Sequence, residues 1–280
     1  MGPMAVVSRD SDIPPDASPL LARADHHAPS VFRPENMLRA ARRQKGLHDG
    51  RVPPVCLLDP DGDIVRFLQA TRGAERSERW ACYHTEMWEW EETSGPVGIV
   101  GSAVGGSFAV LVAEQLFASG CEVLVSVASA GQIAPDLEAP AYVLIDRALR
   151  DEGTSHHYLP AAPFVEAEPQ VVARAAAALR GADHPVVRGS TWTTDAPFRE
   201  TADIIALRRR QGILTVEMEA ASLLAFAQAC GRTVVCLAHV TNQLGCIEGD
   251  FDKGEMNGAA RSLAMAMAIA GALGGTVRTA

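Results

Sequence analysis

The stretch PVGIVGSAVGGSFAVLVAEQLFASGCEVLVSVASAGQI, residues 96–133, decides the fold. Residues 98–100 form an apolar strand that runs into a glycine loop at Gly101, Gly105 and Gly106. Residues 107–119 then read as a helix that Gly120 ends. Residues 122–127 follow as an almost wholly apolar strand. A continuously apolar strand after a helix is buried on both faces, so the unit reads as a parallel β-α-β crossover.

The same alternation extends outward. Downstream, 142–146 and 186–189 read as strands, and 170–179 and 201–211 as helices. ILTVEMEAASLLAFAQACG (213–231) is a short strand feeding a helix that Gly231 ends, TVVCLAHVTN (233–242) a strand, and 258–273 the last helix. Upstream, VPPVCLLDPDGDIVRFL (52–68) reads as a strand, an Asp-Gly turn and a further element. Pro34 starts a helix over ENMLRAARRQKGL, with Gly46 as its stop. Residues 1–29 carry Pro, Asp and Ser without apolar period and read as a flexible tail. Residues 30–280 read as a single-domain three-layer α/β/α fold with a central mixed, mostly parallel twisted sheet.

Composition removes several classes of function. Apolar residues make up 48% of the 280, enough for a sizeable core. The net charge of −9 repels a phosphate backbone, so no nucleic-acid partner is expected. Aromatics, at 5%, are too few for base-stacking platforms. The apolar run 262–277 is shorter than the roughly 20 residues of a membrane span and follows Arg261, so no membrane partner is expected. The N-terminus has acidic groups where an export signal needs an apolar run, which points to the cytoplasm. The six cysteines show no C-x-x-C pair and read as buried small hydrophobes, so neither disulfides nor zinc are expected.

Five segments can carry chemistry. The loop at Gly101, Gly105 and Gly106 lets backbone N–H groups approach an anion or a sugar at a helix N-terminus, yet it matches neither the P-loop nor the dinucleotide fingerprint. In VEMEAAS (216–222), Glu217 and Glu219 share one strand face. Two carboxylates in an apolar segment either bind something, a sugar diol being a natural partner, or stabilise the N-terminus of the following helix. GSTWTTDAPFRETADI (189–204) offers Trp192, Thr193, Asp195, Phe198 and Arg199 to a planar ring, or else Trp192 is core and Thr201 a helix cap. Asn242 and Gln243 follow a strand's C-terminal end, where open α/β sheets place ligands, or else Asn242 is a turn asparagine. His156 and His157 follow a glycine turn; adjacent histidines do not face one metal, so one of them lining a pocket is the functional alternative.

In this order the motifs resemble the nucleoside phosphorylase/nucleosidase superfamily, in the branch of uridine and purine nucleoside phosphorylases. The strand–glycine loop–helix at 97–119, SVASAGQI (126–133), VEMEAASLLA (216–225) and the HVTN strand end carry the resemblance, over residues 30–275. It implies a nucleoside phosphorylase-like catalytic domain with no cofactor, inorganic phosphate as co-substrate in a phosphorylase, a small nucleoside as substrate, and a homodimer or homohexamer built as a trimer of dimers. Met218 and Glu219 would hold the ribose, Glu219 on its 2′- and 3′-hydroxyls, with Glu217 in support or in the site and His157 near the 5′-hydroxyl. Gly105, Gly106 and Ser129 would form the phosphate side. Trp192, Thr193, Asp195, Arg199 and Gln243 would face the base. Asn242 stands where purine-specific members carry a catalytic aspartate, which implies a pyrimidine or broad preference.

Departures from the family pattern concern phosphate. Ser126 stands where phosphorylases carry an arginine, and FRPEN stands in place of the G-[DS]-P-x-R loop, with Asn36 at its arginine. Arg33 would have to substitute from a different angle, and the resemblance implies that His84, in ACYHTE, sits where a partner-subunit arginine reaches the phosphate. Fewer charge-assisted donors weaken phosphate binding. Phosphorolysis is therefore the first expectation, hydrolysis on the same scaffold the second, and a non-catalytic nucleoside-binding or storage protein the third. In either reaction Arg199, Asn242 or Gln243 would meet charge developing on the leaving base, so Glu219, Asn242 and Arg199 are the expected catalytic groups.

Overall fold

The computed structural model describes residues 18, 20–21, 25–137, 141–182, 184–244, 253 and 255–274. Most of the expected tail and Cys246 lie outside the described residues. In chain order the elements are α1 (Pro34–Lys45), β1 (Val55–Asp59), α2 (Asp63–Thr71), β2 (Glu75–Arg76), β3 (Met87–Glu92), β4 (Gly95–Gly101), α3 (Gly106–Ala118), β5 (Val123–Gln132), β6 (Ala141–Asp151), β7 (Phe164–Glu166), α4 (Pro169–Ala178), β8 (Val186–Thr194), α5 (Ala202–Arg210), β9 (Thr215–Glu217), α6 (Ala220–Cys230), β10 (Thr233–Asn242) and α7 (Ala259–Gly274). One-turn 3-10 helices stand at Thr154–His157, Pro197–Arg199 and Glu255–Gly258.

Most of the elements lie where the apolar pattern places them, because that pattern and its flanking turn residues act locally. Gly46 and Gly231 end α1 and α6 in the left-handed conformation that costs a glycine little. Strands β5, β6 and β8 run longer than their apolar cores. Their C-terminal halves are polar residues such as Ser129, Arg150 and Thr193, paired by backbone while their side chains build the site. The edge hairpin β2–β3 and strand β7 carry polar or mixed sequences that give no strand signal of their own.

The crossover at 96–133 is parallel as expected, but β4 and β5 are not neighbours. β1 lies between them, parallel to both. The sheet runs β10-β6-β8-β9-β5-β1-β4-β3-β2, and β10 also pairs with β5 in parallel. Strands β5, β9, β8, β6 and β10 thus close into a ring. The sheet is mixed, with parallel β1–β4, β1–β5, β5–β10, β6–β8 and β8–β9 and antiparallel β2–β3, β3–β4, β5–β9, β6–β7 and β6–β10.

One continuous core fills the space between sheet and helices, with Leu57, Leu58, Ile99, Leu116, Leu124 and Leu144 fully enclosed. Helices α1, α3 and α6 form one packed group, and α2, α4 and α7 another. Among the described residues no helix is long and apolar enough to cross a membrane. The described cysteines are free, and all but Cys230 are buried.

Candidate functional site

Four chain segments converge on one end of the β5 strand. They are the loop before α3, the β9–α6 junction, the middle of β5 at Ser129 and the loop after β1. Gly105 is the N-cap of α3 at φ 90°, a conformation open to glycine. Its N–H donates to Oε1 of Glu219 at 2.6 Å. Gly106 then lies so close to α6 that a Cβ would collide with Ser222 Oγ and sit 2.9 Å from Ser222 Cβ. The two glycines therefore let the N-terminus of α3 close against the β9–α6 junction.

Glu217 and Glu219 divide their roles. Strand β9 ends at Glu217, so the two carboxylates do not share a strand face. Glu217 is buried and accepts from the N–H groups of Glu219 and Ala220, each at 2.7 Å, and from Thr193 Oγ1 at 2.6 Å. Thr191 Oγ1 stands 3.4 Å from the same oxygen as Thr193. Its acceptor positions are taken by protein donors, which fits the supporting alternative of the two expected for it. It secures the first turn of α6. Burial pushes its pKa up against the pull of those donors.

Glu219 is also buried, with Met218 N–H on its second oxygen at 3.3 Å. Burial first, and then the Glu217 charge, push its pKa up to about 8. The Asp61 charge raises it further. Glu219 keeps unspent acceptor positions at the loop of Gly105, and half-buried Met218 lies beside it.

On the nucleophile side the structure brings Ser129 and Asp61 together. Ser129 donates its N–H to Asp61 Oδ2 at 2.9 Å and its hydroxyl to Oδ1 at 3.0 Å. Lys253 Nζ lies 3.4 Å from Asp61 and 2.8 Å from Asp63, and Asn257 Nδ2 donates to Asp63 at 2.9 Å. Asp59 is buried and pushed up to about 7 by burial, against the Val65 N–H it accepts. Buried His239 stacks on Tyr142 and is pushed down to about 4 by burial and by Lys253.

This corrects the expected phosphate loop. The segment that abuts Ser129 is Asp59–Asp63 after β1, not FRPEN. Asn36 is an exposed residue of α1, where it accepts from Arg39. Arg33 is the exposed N-cap residue of α1, with Nε donating to the Ser30 carbonyl. His84 is exposed against Tyr83. Among the described residues no contact joins Arg33 or His84 to Ser129. Ser126 is buried inside β5.

Most of the expected base-binding residues serve the scaffold. Trp192 is core, packed with Ile133, Leu149, Ile213 and Val216. Its Nε1 donates to Asp151, and the Arg208 guanidinium lies over its ring. Thr193 is fully buried, donating to Glu217 and accepting from Ala221 N–H at 2.9 Å. Asp195 is exposed and accepts from Gly153 N–H, tying β8 to the turn after β6. Asn242 is the turn asparagine: its Oδ1 accepts from Leu244 N–H and its Nδ2 donates to Thr241. Arg199 and Gln243 are exposed, and Phe198 is fully so.

His157 is exposed on the 3-10 turn Thr154–His157. That turn is tied to α6 by buried Glu152, which accepts from Ser155 N–H and from Ser222 Oγ. Sequence reasoning missed Asp61, Asp63, Lys253 and Glu152. The signal for the first two was their place directly after an apolar strand, where α/β sheets put ligands. Lys253 has no local signal.

Comparison with known proteins agrees with this geometry. A family model described as the phosphorylase superfamily matches residues 55–271, which leaves α1 outside the match. A uridine phosphorylase of Thermococcus kodakarensis is 26% identical over 219 residues, covering 66% of this chain and 77% of that protein. A guanosine phosphorylase of Halorubrum lacusprofundi is 26% identical over 150 residues, 52% of this chain and 61% of that protein. A crystal structure of uridine phosphorylase from Vibrio fischeri shares the fold at a TM-score of 0.69 and 16% identity, over 83% of this chain and 99% of that one. The match across most of the chain, on the fold and convergent loops described above, makes this protein an enzyme of the phosphorylase superfamily.

Proposed function

We propose that the enzyme cleaves the N-glycosidic bond of a nucleoside. The observation that carries this reading is Glu219, a buried carboxylate held on Gly105 N–H with acceptor positions left over. A carboxylate in that state receives the 2′- and 3′-hydroxyls of a ribose, and Met218 packs beside the sugar. Held this way, the ring can flatten toward the oxocarbenium-like transition state as the bond to the base lengthens. Arg199, exposed on the loop after β8, is the group proposed to meet charge on the leaving base, with Gln243 beside the end of β10.

The relatives named uridine and guanosine phosphorylase support phosphorolysis; a pyrimidine or broad base preference, resting on Asn242, belongs to the same proposal. A phosphate oxygen then bonds to C1′ as the bond to the base breaks, giving the free base and ribose 1-phosphate. A second reading, hydrolysis, is favoured by Asp61 on Ser129. There a water oxygen bonds to C1′, its proton passes to the Asp61 carboxylate, and the bonding pair leaves with the base.

Base release from a nucleoside panel, followed by chromatography with and without phosphate, tests both readings. A rate that rises with phosphate is the phosphorolytic outcome, and equal rates are the hydrolytic one. Glu219→Ala is expected to lower base release about 10-fold or more, since it removes two hydrogen bonds worth about 0.5–1.5 kcal/mol each. If no nucleoside turns over in either buffer, the reading fails. The same reading includes assembly as a homodimer or a homohexamer.

A further inference from the structure

We propose that Asp61 is a built-in stand-in for an oxyanion and that, clamped by Lys253, it determines which nucleophile the site admits. The proposal rests on reading Gly105 and Ser129 as the nucleophile side. Both Asp61 oxygens engage one residue, on the Ser129 N–H at 2.9 Å and on its hydroxyl at 3.0 Å. That is how a strand-end donor pair receives two oxygens of a bound anion. The carboxylate therefore holds donors that phosphate would need.

The surroundings keep it there. Lys253 Nζ stands 3.4 Å from Asp61 and 2.8 Å from Asp63, while Asn257 at 2.9 Å and Arg66 at 2.5 Å hold Asp63 in turn. The cavity beside these groups, lined also by Asp59 and His239, measures about 10 Å³. That is room for about one water as these side chains stand. Phosphate would also meet the carboxylates of Asp61 and Asp63, with Lys253 the ammonium that faces them among the described residues. Were Asp61 absent, Ser129 and Lys253 would be left as a hydroxyl, an N–H and a cation aimed at one spot, the elements of an anion site.

Phosphate affinity, measured by calorimetry with inorganic phosphate and no nucleoside, tests this. Asp61→Asn is expected to bind phosphate at least tenfold more tightly than the unmodified enzyme. Adding Lys253→Gln to that variant is expected to abolish the gain, and Lys253→Arg to retain it. Adding Ser129→Ala is expected to weaken binding as well. Asp61→Gly, which removes the side chain outright, is the second variant should the asparagine fail to fold, with thermal unfolding as the check. Unchanged or weaker phosphate binding in folded Asp61 variants overturns the proposal, as does a gain that survives Lys253→Gln. A panel in which no nucleoside turns over removes the glycosidic reading and leaves this affinity series still decisive for Asp61.

Discussion

At the scale of single residues, Glu219 is the group whose surroundings set its chemistry. It is removed from water, faces a second carboxylate, and is offset by N–H donors from Gly105 and Met218. Its raised pKa has a consequence for stability. The unfolded chain releases this proton near 4.5, whereas the folded chain holds it to about 8. The folded state thus binds more protons between those values, and stability falls as pH rises through them. His239, pushed down to about 4, is neutral in the folded state across this range and adds a slope of opposite sign that fades as the unfolded imidazole loses its proton above pH 6.5, while Asp59 and Glu200, each pushed up to about 7, add slope of the same sign as Glu219. Urea unfolding of Glu219→Gln between pH 6.5 and 8.5 is expected to show a flatter loss of stability than the unmodified enzyme. Parallel profiles would contradict the assignment. Thr193 shows the reverse case: a hydroxyl suggested for the base is spent on Glu217 and Ala221.

At the scale of elements, the site depends on how closely α3 approaches α6. Gly106 faces Ser222 with no space for a methyl group, and Ser222 is itself bonded to Glu152 at 2.6 Å. A side chain at Gly106 must push α3 outward and lift Gly105 from Glu219. Gly106→Ala is expected to cost about 1–3 kcal/mol, the range for overpacking a close-packed contact. It is also expected to lower base release by more than that loss of folded protein explains. Chemical denaturation and a rate normalised to folded enzyme measure the two effects, and Ser222→Gly in the same chain is expected to restore part of each. The strands obey the same logic. In β5 an apolar run gives way to Ser129, and in β8 the hydroxyl-rich C-terminal half is the buried part, so Ser129 and Thr193 stand where strand geometry and site chemistry meet.

At the scale of the whole molecule, the ring of β5, β9, β8, β6 and β10 holds both halves of the site on one scaffold. Large apolar side chains remain outside it: Phe198 is fully exposed, Val31 is 98% exposed and Phe32 72%. Adjacent Val31 and Phe32, and Phe198 apart from them, are surfaces that the proposed assembly can cover. Light scattering is therefore expected to give an even-numbered oligomer, with Phe32→Ser and Phe198→Ser together shifting it toward smaller species; a monomer at all concentrations would contradict this. The sequence by itself determined the alternation of elements, the crossover at 96–133 and the segment of Glu219, because apolar period and caps act over a few residues and need no partner. It also carried the resemblance that the family match bears out. Only the tertiary structure decided which side chains are free to act. Glu217, Trp192 and Thr193 became scaffold because distant strands supplied their hydrogen-bond partners. Asp61 and Lys253, 192 positions apart, became a pair because β1 packs beside β5 and the segment before α7 returns over its end. Contacts across such separations depend on closure of the whole sheet, and no local pattern in the chain encodes them.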